Sequence, residues 1–214
     1  MSVALLIFVA TIVASLIALY SGRDGAGRPA SRNAGSRAHL SLLERCLFRP
    51  YWFLRARQYD TLITSGFVHG DLFHLLFNMM TFWFFAFPLE ARIGSVAFAV
   101  LYFAGLVVSD LGTWIKHRND PQYASLGASG AISAVLFANI VYFPGNSLFI
   151  LPIPVPIPAP VFAVGYLVYS WYSARQAKGR INHDAHLGGA LFGLLFVLVT
   201  DPSAYSQLGR MIAG

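Results

Sequence analysis

Apolar residues fall into six runs parted by polar or proline-broken stretches: residues 3–20, 72–89, 95–115, 129–143, 159–172 and 185–200. A hydrocarbon core about 30 Å thick takes about 20 mostly apolar residues of helix. Each run therefore predicts a membrane-spanning helix, some of them short or interrupted by polar residues. The sixth stops at Asp201-Pro202, because proline cannot continue a helix. The connections differ in character. Residues 21–38 are rich in Gly, Ser and Arg and predict a mobile loop. Residues 39–57 mix Leu, Phe, Trp and Tyr with Arg, the pattern of an amphipathic helix lying in the headgroup plane. Residues 151–160 alternate proline with Ile, Val and Ala, which predicts a stiff, extended apolar connector. No internal repeat is visible.

Composition agrees with this pattern. The 214 residues are 57% hydrophobic and 11% charged, whereas soluble domains run near 45–50% apolar and about 25% charged. The expectation is an all-α integral membrane protein, multi-pass, with one domain. It divides into a first transmembrane helix (1–21), a basic loop with an interfacial segment (22–58), the remainder of a six-helix core (59–200) and a short tail (201–214). The single Cys46 excludes an intrachain disulfide and a cysteine metal cluster. The N-terminus lacks the basic start of a cleaved signal peptide, so its apolar run reads as a retained helix. Eight arginines lie between Arg23 and Arg57, within a net charge of +6. They suit a surface meeting anionic headgroups. Nucleic acid is not an expected partner, since no compact soluble module is present to bind it.

Helices alternate direction across a bilayer, so the second, fourth and sixth enter from the same side. Their N-terminal ends carry His74 with Asn78, then Ser129, then His186. Polar groups scattered along the chain are thus brought to similar depth on one face. The fourth helix carries Gly130, Ala134 and Ala138 at four-residue spacing, and the sixth carries Gly189 and Gly193. Such small-residue stripes let membrane helices approach closely. His186 lies three residues before Gly189, so it shares that face and would be drawn towards Ser129.

Ser129 stands in Gly127-Ala128-Ser129-Gly130. A serine here is ordinarily a helix cap or a packing residue. The flanking glycines allow a tight turn and a close backbone approach, which leaves the hydroxyl exposed. It becomes a nucleophile only if a base removes its proton. His186 can be that base at neutral pH; its plain alternative is a buried histidine on a backbone carbonyl. Asp184 stands two residues away, and such positions do not face each other on a helix. A Ser-His dyad is expected rather than a triad. His183 reads as an interfacial loop residue. His74 and Asn78, at i and i+4, share a face. They are either oxyanion donors or a polar pair satisfying each other, with the Ser129 backbone N–H as a further donor. A metal site is not expected, because no carboxylate or thiolate stands at ligand spacing. Asp110 reads as a solvated residue near a helix end, and Glu90 with Arg92 as a structural ion pair.

Together, Gly127-Ala128-Ser129-Gly130, His74-x-x-x-Asn78 with His69 upstream, and Ala185-His186-x-x-Gly189-x-x-x-Gly193 resemble a rhomboid intramembrane serine protease of bacterial type. The resemblance covers residues 59–200. It implies a six-helix core, cleavage of transmembrane protein substrates in or near the lipid bilayer, and no cofactor. It puts Ser129 at the nucleophile, His186 at the general base, and His74 and Asn78 at the oxyanion positions. It also implies a bacterial inner (plasma) membrane. Two positions depart from the family pattern. Asp60-Thr61 stand where many members carry Trp-Arg. Ser133 stands where some bacterial members place a tyrosine stacked on the histidine, so His186 is held less tightly or by another aromatic. A proteolytically inactive rhomboid-like adaptor or chaperone is the alternative; a transporter would show inverted repeats or polar groups through the bilayer. All Lys and Arg but Arg92 and Arg210 fall in the first, third and fifth connections. The positive-inside rule puts those connections in the cytoplasm; the resemblance implies the reverse. Substrate and oligomeric state are not legible.

Overall fold

The computed structural model describes residues 1–21, 40–150, 153–176 and 182–213. Residues 22–38 of the glycine- and arginine-rich stretch expected to be mobile lie outside the described residues. The long helices are α1 (Val3–Ser21), α5 (Leu72–Ile93), α6 (Ser95–His117), α7 (Ser129–Tyr142), α8 (Ala159–Gln176) and α9 (His183–Thr200). Between α1 and α5 lie short helices α2 (Leu42–Cys46), α3 (Pro50–Arg55) and α4 (Thr61–Thr64), then a 3-10 turn, Ser65–Phe67. A hairpin of β1 (Ser147–Ile150) and β2 (Ile153–Pro158) joins α7 to α8, and α10 (Ala204–Ala213) ends the chain. The result is an all-α membrane bundle with one small hairpin.

By length and composition, α1, α5, α6 and α9 are able to cross a membrane. α7 is apolar but has 14 residues. α8 has 18 but is diluted by Tyr, Ser, Arg and Gln. Six crossings require both of these as well. The apolar faces turned outward, such as Leu5, Val9 and Val13 of α1 and Val161, Val164 and Val168 of α8, are exposed. That is how a bundle solvated by lipid tails differs from a soluble one.

At the centre stands α7, buried along almost its whole length. It is held between α6 and α9 by small residues. A Cβ on Gly189 would collide with the Gly130 carbonyl oxygen and lie 2.9 Å from the Gly130 carbonyl carbon. A Cβ on Gly193 would collide with the Ala134 carbonyl oxygen in the same way. On the other side, a Cβ on Gly105 of α6 would stand 2.8 Å from the Ala134 Cβ. Lipid tails are as apolar as leucine, so membrane helices associate through such close packing and through hydrogen bonds.

Polar side chains fix the helix ends. Asp71 accepts from the His74 N–H at 2.8 Å and starts α5. Asn182 accepts from the Ala185 N–H at 3.0 Å and starts α9, while its amide donates to Thr113 of α6 at 2.9 Å. Glu90 does not pair with Arg92. Its carboxylate accepts from Ser2 Oγ at 2.5 Å, the Val3 N–H at 2.7 Å and Ser95 Oγ at 2.6 Å. It thereby caps α1 and binds the start of α6, since a helix N-terminus attracts a carboxylate. Arg92 instead lies 4.0 Å from Asp201 and over the Tyr142 ring.

One further expectation is corrected. Among the described residues, 40–57 form two short helices and not the single interfacial one expected for 39–57. A Ser41/Glu44 capping box starts α2, and Pro50 starts α3, because in a first helical turn proline's missing N–H has no helical partner to lose. Between them Phe48 is fully buried and pairs with Ser125 through backbone hydrogen bonds of 3.0 and 2.9 Å. The proline-rich connector contributes a paired strand, Leu148 facing Ile157 and Ile150 facing Ile153. The short stretch after residue 200 carries a further helix, α10.

Gly193→Ala is expected to lower stability by about 1–3 kcal/mol, the usual cost of overpacking. Gly165→Ala in α8, where a Cβ meets nothing within 4 Å, is expected to be neutral or slightly stabilising. Thermal midpoints of the purified protein in detergent compare the two.

Candidate active site

The loop entering α7 is pinned at three successive points. Ser125 pairs with Phe48. The Gly127 N–H donates to the Ser65 carbonyl at 2.9 Å. The Ala128 N–H donates to His69 Nε2 at 3.4 Å. Gly127 adopts φ 112°, a region L side chains rarely enter. A Cβ there would also lie 2.8 Å from His74 Cε1 and 2.9 Å from His74 Nε2. Only glycine allows this turn to pass so near the imidazole.

Ser129 is the first residue of α7 and is half-buried. No side chain caps α7 among the described residues, unlike α5 and α9. Its first N–H groups remain open to an anion, aided by the helix dipole. Gly130 follows, and a Cβ on it would be 3.5 Å from the Ala185 carbonyl oxygen and would collide with Ser109 Oγ of α6. The residue after Ser129 thus turns the face that lacks a side chain towards the residue before His186. Among the described residues no hydrogen bond joins Ser129 to His186. Hydrogen bonds of this kind are often long before substrate binds.

His186 is half-buried in the first turns of α9. Its ring stacks on Tyr166 of α8, with centroids 6.4 Å apart and planes 21° off parallel. Asp184 points elsewhere, to Lys116 Nζ at 2.8 Å and His117 Nε2 at 3.4 Å. These bonds tie α9 to the end of α6. His183 is not a loop residue; it begins α9 and meets the His186 ring edge-on at 6.1 Å. Asn78 is buried, and its amide donates to the His74 carbonyl at 2.9 Å. One amide hydrogen is thus spent within the helix, and the second is still to be placed.

His69, which in sequence merely flanks the His74/Asn78 pair, supports the turn. Its Nε2 accepts from Ala128, so the proton sits on Nδ1 and donates to Ser15 Oγ of α1 at 2.9 Å. The Ser15 hydroxyl then donates to the Phe67 carbonyl at 3.0 Å. Protonating Nε2 would set N–H against N–H. Burial, then the neighbouring His74, push the His69 pKa down to about 3. Asp110 is likewise not solvated: it is buried and accepts from Ser65 Oγ at 3.2 Å, beneath the carbonyl that receives Gly127. Among the described residues no three potential metal ligands gather.

A multi-pass membrane bundle whose short central helix starts at a glycine-flanked serine, with the His74 ring against the turn before it, is a narrow class. A family model described as the rhomboid domain matches residues 56–202, and the chain belongs to the rhomboid family. It is 33% identical over 143 residues to "Presenilin-associated rhomboid-like protein, mitochondrial" of Rattus norvegicus, covering 64% of this chain and 37% of that one. It is 29% identical over 148 residues to "RHOMBOID-like protein 12, mitochondrial" of Arabidopsis thaliana, covering 61% and 43%. It is 30% identical over 172 residues to "Rhomboid protein 1, mitochondrial" of Saccharomyces cerevisiae, covering 77% and 50%. The matches span half or less of these relatives' lengths. Their names are mitochondrial, and they lend no support to a bacterial inner membrane.

The His69 network generates a pH test. The unfolded histidine takes up a proton near pH 6.5, the folded one near 3. Between these values the unfolded state binds more protons, so this contribution is complete above pH 6.5 and is lost as pH falls. His69→Gln cannot titrate. It is expected to melt below the parent chain at pH 7.5, with the gap narrowing at pH 4.5. An equal gap at both pH values would count against the network.

Proposed function

We propose that the chain is an intramembrane serine endopeptidase that cuts transmembrane segments of membrane proteins with a Ser129–His186 dyad. The observation that carries this reading is the glycine contact between α7 and α9. It brings the start of each helix to the other, beside an uncapped helix end and the His74 ring. Family membership supports the same reading. No cofactor is required.

In this chemistry Ser129 Oγ attacks the scissile carbonyl carbon while His186 takes the hydroxyl proton. The tetrahedral oxyanion accepts hydrogen bonds from the α7 N-terminal N–H groups, with His74 and Asn78 as side-chain donors. The C–N bond then breaks, and His186 returns its proton to the leaving amine. Water, deprotonated by His186, attacks the Ser129 ester and releases the new carboxylate. Asp184 is occupied by Lys116 and His117, so orientation of His186 falls to its packing.

Residues 59–200, with α7 and α8 as the remaining crossings, form the proposed catalytic core. Residues 1–21 supply a further helix. Substrates are proposed as single membrane helices, drawn from the bilayer.

Ser129→Ala and His186→Ala are each expected to lower cleavage of a transmembrane test substrate by on the order of a thousandfold or more. A fluorophosphonate probe should label the parent chain at Ser129 and fail on Ser129→Ala. A well-folded parent chain that the probe never labels would instead favour the inactive adaptor. Asn78→Ala is expected to reduce kcat by roughly 10²–10³-fold, the usual cost of one oxyanion donor, with KM little changed; equal loss in KM would assign Asn78 to binding instead.

A further inference from the structure

Among the described residues, His186 of the proposed dyad has no carboxylate partner of the kind that orients a catalytic histidine in many hydrolases. Asp184 lies nearest in sequence, and its oxygens are engaged by Lys116 and His117. Two rings lie beside that of His186: His183 of the same helix, edge-on at 6.1 Å, and Tyr166 of α8, nearly parallel at 6.4 Å.

The Tyr166 ring is fixed on several sides. Phe137 of α7 lies 5.4 Å from it between centroids, and Phe162 of α8 lies 5.7 Å away. Its hydroxyl is 3.1 Å from Ser133 Oγ. Ser133 is buried and sits four residues after Ser129, on the same face of α7. The helix that carries the candidate nucleophile thus also anchors the ring that faces the candidate base.

Distance separates two roles for that ring. Aromatic pairs interact at centroid separations of roughly 4.5–7 Å, whereas attraction of a cation to a ring face acts within about 6 Å. At 6.4 Å and 21° the pair lies in the first range and outside the second. Tyr166 therefore restricts the plane of the imidazole more than it steadies its charge. A plain packing role would require burial and shape alone. It would not require the hydroxyl contact to Ser133, nor a ring nearly parallel to His186.

We propose that Tyr166 is a positioning residue for His186, that Ser133 holds it in place, and that α8 thereby sets the orientation of the base. This rests on the dyad reading above.

The test uses the full chain in proteoliposomes with a fluorogenic transmembrane substrate, reading kcat and KM separately. Tyr166→Leu removes both ring and hydroxyl and is expected to lower kcat about tenfold or more, with KM within twofold. Tyr166→Phe keeps the ring, and Ser133→Ala removes its anchor. Each is expected to lower kcat only about two- to fivefold, and the double variant no further, because both delete one hydrogen bond. Parent kcat in Tyr166→Leu, or a loss carried by KM, would overturn the proposal. So would an equal loss in the Leu and Phe variants. Should Tyr166→Leu fail to fold, Ser133→Ala decides: a kcat fall at constant KM sustains the proposal and parent kinetics sink it. Probe labelling separates the two readings. A parent chain that is labelled and cleaves, with unaltered variants, removes only the positioning role. An unlabelled parent chain removes the dyad as well.

Discussion

The structure depends on how closely α7 and α9 approach. Gly189 lies on the Gly130 carbonyl and Gly193 on the Ala134 carbonyl, with no room for a Cβ at either place. In lipid, no hydrophobic difference drives two apolar helices together. Many weak dispersion contacts, gained only at van der Waals distance, must do so. The same small residues admit α6, whose Gly105 and Ser109 fill the third side. Larger side chains along this seam would part the helix starts, and Ser129 and His186 with them.

Close approach alone does not shape the turn before Ser129. That turn is held by chain far from it in sequence: Phe48, Ser65 and His69, and through His69 by Ser15 of α1. Two of these supports, Phe48 and Ser15, precede the region matched by the family. In a low-dielectric interior each such bond is costly to leave unmade.

Helix positions were largely legible. A run of apolar residues between polar breaks reports its own length, and the six long helices begin and end within a few residues of the runs. The all-α membrane class followed from composition. Pairings between distant residues were not legible, because no local pattern encodes them. Phe48 reads as one more apolar residue until Ser125 is placed beside it. Asp110 looked solvated because its sequence neighbours are basic, whereas its contact is Ser65. Glu90 adjoins Arg92 in sequence but serves the start of α1. The hairpin was hidden by its prolines. A two-stranded sheet has a free edge on each strand, and proline at every second residue of β2 can turn its missing N–H outward. Tyr166 left only an indirect signal: Ser133 vacates a position for an aromatic without saying where another comes from.

The hairpin and α7 together have a consequence for depth. Fourteen helical residues rise about 21 Å, some 9 Å less than a typical hydrocarbon slab, whereas the 22 residues of α5 rise about 33 Å. α7 cannot touch both surfaces of such a slab. One of its ends must stop inside, where an irregular backbone survives only if it is packed on protein or wetted. A bundle built around a short central helix therefore holds a notch in the bilayer by construction, and the thickness of the host membrane sets how deep that notch lies.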